Sequence, residues 1–325
     1  MRKLLPLLLG LLLLSACGET EPVSKTNFML DTIVQITLYD GTDPGVIDQA
    51  FDEIRRLEDI LSVEREGSDL DRLAQAAGQD WVEIQPETEE VLRLAKTYSA
   101  RSQGAFDVTA GPLIDLWDIH NGEGHYPSPE ELAQVLPLIG DADLLVEEGR
   151  AYLARPGMIA NLGAIAKGYI ADQVKALLVE QGVKSAVLDL GRNVLLIGGK
   201  PDGSSFVVGV QDPNQEQGQL MGRIEATDKS IVTSGINERK FTYNGQSYHH
   251  VLDPVTGFPV ENELASVTIL SQSSADGDAL STTCLLLGQE KGMALVESLE
   301  GVEALFIAKD GSCTESSGMD GVFIQ

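Results

Sequence analysis

The chain has 325 residues, with 23 Lys+Arg against 50 Asp+Glu, four His, three Cys and 43% hydrophobic content. This composition excludes global disorder, collagen-like repeats and small disulfide-stapled folds, and leaves ample chain for a large core. A net charge of −27 disfavours nucleic acid and anionic lipid as partners, since both are held by Lys and Arg neutralising phosphates.

Arg2 and Lys3 precede an apolar run, Leu4 to Leu14, and then Leu-Ser-Ala-Cys17. The run is shorter than the ~20 residues that span a bilayer as a helix, no later run is apolar for long enough, and the order is that of an export signal over 1–16. Leu-Ser-Ala-Cys resembles a bacterial lipobox. Cys17 is therefore expected to carry a lipid anchor at the outer face of the cytoplasmic membrane, with a plain secretory site as the alternative. Residues 17–28 then read as the lipidated Cys and a flexible polar tether, and 29–325 as one domain. Losing Arg2 and Lys3 with the leader takes the net charge from −27 to −29. A phosphate-bearing ligand would need a bound cation or a local basic group to approach such a body.

Residues 29–39 (MLDTIVQITLY) mix β-branched content with partial alternation and read as a first strand. A helix follows from near Pro44, with Val46, Ile47, Ala50, Phe51, Ile54, Leu57, Ile60 and Leu61 forming one apolar stripe. Residues 86–101 repeat the pattern with acidic residues first and basic ones last, as the helix dipole favours. A third helix runs from about Ala166 to Gln181 and stops at Gly182. Beyond it come short strand-like runs broken by Gly, Pro, Asp and Asn, and Asn244-Gly245 marks a two-residue hairpin. A helix returns over 276–287, with a short one after it. The expected fold is mixed α+β with largely antiparallel strands, and Cys284 and Cys313 read as isolated thiols.

Familiar site motifs fail on residue order: in GAIAKG, Lys167 precedes Gly168, so no Walker loop forms, and zinc and nucleophile-elbow patterns are absent. Four groups survive. Asn161 to Asp172 is a Gly-rich loop running into a helix with Lys167 in its first turn, a setting that favours an anionic ligand; a solvated lysine at a tight junction is the plain alternative. Asp278 and Thr282 are four apart, so on a helix they offer a carboxylate and a hydroxyl to one point, donors that suit magnesium; an N-cap at Asp276 and a polar face are the alternative. His249 and His250 precede an Asp-Pro turn, and on a strand only one of them can address a given cleft. Gly104 to Trp117 is either a ring-stacking pocket or a packed corner.

Together these groups resemble the ApbE-type FAD:protein FMN transferases, which move FMN from FAD onto a Ser or Thr of a target protein. The resemblance runs through Met29-Leu-Asp-Thr32, Ser68 to Leu73, Gly104 to Trp117, Asn161 to Asp172, Asp189-Leu-Gly-Arg-Asn193, Thr233 to Arg239, His250 to Gly257 and Asp278 to Thr282. It implies that FAD, as substrate, lies against Met29, Ala105, Phe106, Asp107, Asn161, Lys167 and the His250–Val251 strand. It puts Mg²⁺ on the Ala164 carbonyl, Asp278 and Thr282. His250 or a nearby carboxylate such as Asp253 would take the proton from the incoming hydroxyl, and AMP would leave. The implied acceptor is an exported or membrane-bound redox subunit with a Ser/Thr flavinylation motif, as in sodium-pumping NADH dehydrogenase and Rnf-type complexes. Four departures from the usual pattern stand out: Asn161 replaces a common Asp, Arg192 a usual second Gly, Ala74 an Asn that often closes the Ser-Asp motif, and Ile236-Asn237 a common polar residue and Tyr. A flavin-storage lipoprotein and a Mg²⁺-dependent FAD pyrophosphatase remain as competing readings.

Overall fold

The computed structural model describes residues 21–119, 124–216 and 218–325. The expected leader and Cys17 lie outside them. Eight strands form one antiparallel sheet in which the order across the sheet equals the order along the chain. They are β1 (Val23–Met29), β2 (Thr32–Leu38), β3 (Ala186–Asp189), β4 (Asn193–Ile197), β5 (Ser230–Gly235), β6 (Leu264–Ser271), β7 (Glu303–Ala308) and β8 (Cys313–Glu315).

Period-two alternation gives this sheet two buried faces. Leu195 and Ile197 of β4, Val267 and Ile269 of β6 and Phe306 of β7 enter one core, while Leu196, Leu270, Leu305 and Ile307 enter another. Helices cover the first face: α1 (Gly45–Leu61), α2 (Pro86–Arg101), α3 (Ala166–Glu180), α4 (Ser274–Leu287) and α5 (Gln289–Glu297). The second face is covered by a three-stranded sheet of Phe206–Gln211, Leu220–Ala226 and Phe323–Ile324, through Phe206, Val210, Ile224 and Phe323. The fold is therefore three layers of α+β, as the sequence predicts, with each fully buried Leu, Ile or Phe contributing about 1.5–3 kcal/mol.

The α1 stripe is buried from Val46 to Leu61, except that Ile60 is only partly so. Helix α2 spans the predicted residues with Pro86 in its first turn, and α4 starts two residues earlier than expected. The Asn244-Gly245 turn joins Lys240–Tyr243 to Gln246–His249, with φ of 49° and 80°. One boundary needs correcting. The expected tether over 17–28 ends before Val23, because residues 23–29 pair along their whole length with β2. The segment reads as polar because β1 is an edge strand, half open to solvent: Ser24 Oγ meets Thr37 Oγ1 at 2.8 Å and Lys25 pairs with Asp48.

Helices α3 and α4 come into close backbone contact at Gly168, where a Cβ would lie 2.2 Å from the Ser274 carbonyl oxygen. Backbone on both sides leaves no flexible side chain to yield. Gly168→Ala is expected to destabilise the protein by about 1–3 kcal/mol, read as a lower urea midpoint with unchanged slope.

Candidate active site

The junction between α3 and α4 is built by one carboxylate. Asp172, in α3, accepts hydrogen bonds from Ser274 N (2.8 Å), Ala275 N (2.9 Å) and Ser273 Oγ (2.8 Å), satisfying amide groups that the first turn of α4 leaves open. Ser273, rather than Asp276, is the N-cap, accepting from Asp276 N; Asp276 instead accepts from the Tyr98 hydroxyl at 2.6 Å. With α4 held there, Asp278 faces the start of α3 and its Oδ2 accepts from Gly168 N at 2.9 Å. Thr282 follows one turn later, its Oγ1 3.3 Å from Ser234 Oγ on β5.

These groups open onto a cleft of about 320 Å³, within the size range of small-ligand sites. Its wall is assembled from the β1–β2 turn, the end of α1, the 105–110 loop, the start of α3, the β3–β4 turn, the end of β5 and the His250–Leu252 segment. Ala105, Phe106, Asp107, Asn161, Ala164, Lys167, His250, Val251, Asp278 and Thr282 all line it, so ten of the twelve predicted flavin, metal and proton-transfer residues converge.

Two do not. Met29 is buried behind the cleft wall and its neighbours Leu30 and Asp31 line the cleft in its place, turning through φ of 53° and 54°. Asp253 is absent from the wall: its carboxylate accepts from Val255 N (2.8 Å) and Thr256 Oγ1 (3.1 Å), which makes it the organiser of its own turn. Of the histidine pair, His250 lines the cleft and His249 does not. His250 Nδ1 lies 3.2 Å from the Arg239 carbonyl oxygen. A carbonyl only accepts, so Nδ1 carries a proton, and in the neutral form of the ring the lone pair would lie on Nε2.

Local turns fix the remaining side chains. Asn161 Oδ1 accepts from Gly163 N at 2.8 Å, a contact open to Asp and Asn alike, so Asn161 preserves the turn. Asp107 accepts from Thr109 N and Oγ1 and from Asp141 N, which ties the 105–110 loop to the 140s. Burial still pushes its carboxyl above the usual carboxylate range.

The charges in the cleft are concentrated and mixed. Asp278 is buried, and desolvation pushes its carboxyl upward against the opposing pull of Lys167 and the Gly168 N–H, with Asp172 adding to the rise. Glu238 is also pushed up by burial, against Arg192, Lys167 and Arg239, with Asp278 adding to the rise. Among the described residues no cluster of three or more His, Cys, Asp or Glu could hold a metal; the expected oxygen set uses one carboxylate with a hydroxyl and a carbonyl. Sequence reasoning assigned no role to Glu238, Arg192 or Asn193, although all three line the cleft. The available signal was the pair Gly191-Arg192 between two strand-like runs, a turn that aims its side chains off the end of the sheet.

Fold and cleft together define an α+β protein whose cleft sets Lys167 and Arg192 beside the buried Asp278. The chain belongs to the ApbE family, whose model matches residues 30–306. A relative from Klebsiella pneumoniae, called FAD:protein FMN transferase, is 35% identical over 302 residues, 92% of this chain and 93% of that protein. One of the same name from Treponema pallidum is 32% identical over 326 residues, 94% and 90% of the two chains. Among solved structures, the ApbE protein of Thermotoga maritima superposes with a TM-score of 0.86 at 26% identity, covering 94% of this chain and all of that one. The flavin transferase ApbE from Vibrio cholerae gives 0.83 at 28% identity, covering 93% and 99%.

His249 supplies a pH test of the fold around the site. Burial, with a small push from Lys309 and against its contact to the Val260 carbonyl, lowers its pKa to about 4. The unfolded chain takes up that proton near pH 6.5, so stability present above pH 6.5 falls away as pH drops toward 4. His249→Gln, which keeps a donor for Val260 O, should flatten this part of the profile in urea midpoints measured at pH 7.5 and 5.

Proposed function

We propose that this chain transfers FMN from FAD to a Ser or Thr hydroxyl of a protein acceptor, releasing AMP, with Mg²⁺ at the α3–α4 junction. The observation that carries the reading is the convergence of Lys167, the buried Asp278 with Thr282, and His250 on one cleft. The names of the relatives point the same way.

Asp278 and Thr282, with the Ala164 carbonyl, fit a hard cation: the carboxylate is desolvated, only one of its oxygens accepts from Gly168 N, and all donors are oxygens. Bound there, the ion would neutralise charge on the diphosphate oxygens as the reaction proceeds. Lys167, in the first turn of α3, adds a second positive charge to the same ligand. His250, whose Nδ1 donates to the Arg239 carbonyl, would act in its neutral form as the general base through Nε2. The acceptor hydroxyl gives its proton to Nε2 while its oxygen bonds the FMN-side phosphorus. The bond from that phosphorus to the bridging oxygen breaks, and AMP leaves with that oxygen. Asp253 is occupied by its own turn and is not the base in this scheme.

The proposal extends to location and partner. The leader and Cys17 support export and lipid anchoring at the outer face of the cytoplasmic membrane, beside a membrane redox complex that would supply the acceptor. Labelled palmitate should enter the wild-type chain and not Cys17→Ala when both are expressed in a bacterium.

Incubation with FAD, Mg²⁺ and an acceptor carrying a flavinylation motif separates the readings: covalent flavin on the acceptor for transfer, free FMN for hydrolysis, unchanged FAD for storage. Asp278→Ala should abolish Mg²⁺-dependent labelling, and full retained labelling would reject the metal assignment. His250→Asn, which keeps a donor for Arg239 O, should lower kcat by roughly 10²–10⁴-fold with FAD affinity little changed. A kcat near wild type would move the base elsewhere.

A further inference from the structure

Arg192 occupies a position that costs backbone strain. Leu190 N donates to Asn193 O across the two-residue turn between β3 and β4, and its central residues, Gly191 and Arg192, have φ of 68° and 69°. Both are left-handed, the geometry that matches the strand twist and favours glycine. Glycine is required at the first position, where a Cβ would sit 2.1 Å from Thr32 Oγ1. Nothing comparable requires arginine at the second. An arginine that bears left-handed strain at the mouth of a cleft needs a use for its side chain.

That side chain lines the cleft, 39% exposed, and its Nη1 lies 3.2 Å from Glu238 Oε1. Lys167 and Arg239 pull on the same carboxylate through space, and Arg192 is the cation in contact with it. The next residue, Asn193, is 1% exposed and lines the same cleft; its Oδ1 accepts from Ser274 Oγ, and its buried Nδ2 has no hydrogen-bond partner. A planar guanidinium and an amide donor lacking an acceptor thus stand side by side at the cleft, with Glu238 paired to the guanidinium. A multiply charged phosphate ligand supplies acceptors for both.

We infer that Arg192 is a specificity-determining residue that grips the diphosphate of a flavin dinucleotide, and that Glu238 holds the guanidinium in place until the ligand displaces it. The inference rests on the flavin reading of the cleft and extends it to how the ligand's phosphates are selected. Arg192→Gly suits the test because glycine adopts the required φ without strain, so a folding defect cannot mimic lost affinity.

Fluorescence titrations of the full chain in Mg²⁺ would compare FAD with riboflavin, which carries the same ring and no phosphate. Arg192→Gly should weaken FAD binding by at least 10-fold, change riboflavin binding by less than twofold and leave Tm no lower than wild type. Arg192→Lys, keeping charge without the fork, should fall between. Glu238→Gln, which removes the competing carboxylate, should tighten FAD severalfold. FAD binding by Arg192→Gly within twofold of wild type, or equal loss of both flavins, would overturn the role of Arg192; weaker FAD binding by Glu238→Gln would overturn that of Glu238. The transfer reading fails separately, if wild type binds FAD yet labels no acceptor. A wild type that binds neither flavin would sink both.

Discussion

The site depends on Asp172 capping a helix that belongs to another part of the chain. Its three accepted hydrogen bonds fix the start of α4 against α3, and Gly168 lets the two backbones come close enough for Gly168 N to reach Asp278. Without that contact Asp278 would be a buried carboxylate with no local donor, a state that costs several kcal/mol or ends in protonation. The packing of two helices and the electrostatics of the cleft are therefore one constraint. It joins residues 110 positions apart in sequence.

The rest of the cleft is supplied by ends of regular structure. An antiparallel sheet whose strands run in chain order returns the chain repeatedly to the same edge. The β1–β2 turn contributes Leu30 and Asp31, the β3–β4 turn Arg192 and Asn193, and the end of β5 leads to Glu238 and Arg239. The segments are tied to one another: Thr233 N donates to Arg192 O, and His250 N and Nδ1 both meet Arg239 O. Rigid elements thus set the positions, and short turns present the chemistry.

What was legible in the sequence follows from the range of the physics involved. The α1 stripe, the extents of α2 and α3 and the Asn-Gly hairpin rest on contacts within a few residues, and all stand within a residue or two of where periodicity and turn chemistry predict. Strand β1 was hidden because an edge strand with one solvated face needs little apolar content, and its polar residues resemble a linker. Asp253 was misleading for the opposite reason. A carboxylate beside a histidine suggests proton transfer, but Asp-Pro-Val-Thr-Gly satisfies that carboxylate within three residues. Glu238 carries no local signal, because its ion pair is with Arg192, 46 positions away, and Lys167, 71 positions away, acts on it through space. The ordered motifs fall on segments that meet at the cleft. Only the fold shows which side chain of each segment faces inward.

Two of the departures that the resemblance marks, Asn161 and Arg192, act in the same electrostatic direction. Asn161 keeps the turn oxygen that accepts from Gly163 N while removing the negative charge that Asp would place in the cleft. Arg192 adds a positive charge where glycine would add none, and does so at the cost of a left-handed φ. Both changes make the cleft more attractive to an anion within a chain whose overall balance is −27. The surrounding excess of carboxylates repels a phosphate ligand at long range, and this repulsion is screened beyond about 8–10 Å in physiological salt. Inside that distance the local charges decide. A cleft that exchanges a carboxylate for an amide and a glycine for a guanidinium shifts the short-range balance toward binding and leaves the acidic exterior unchanged.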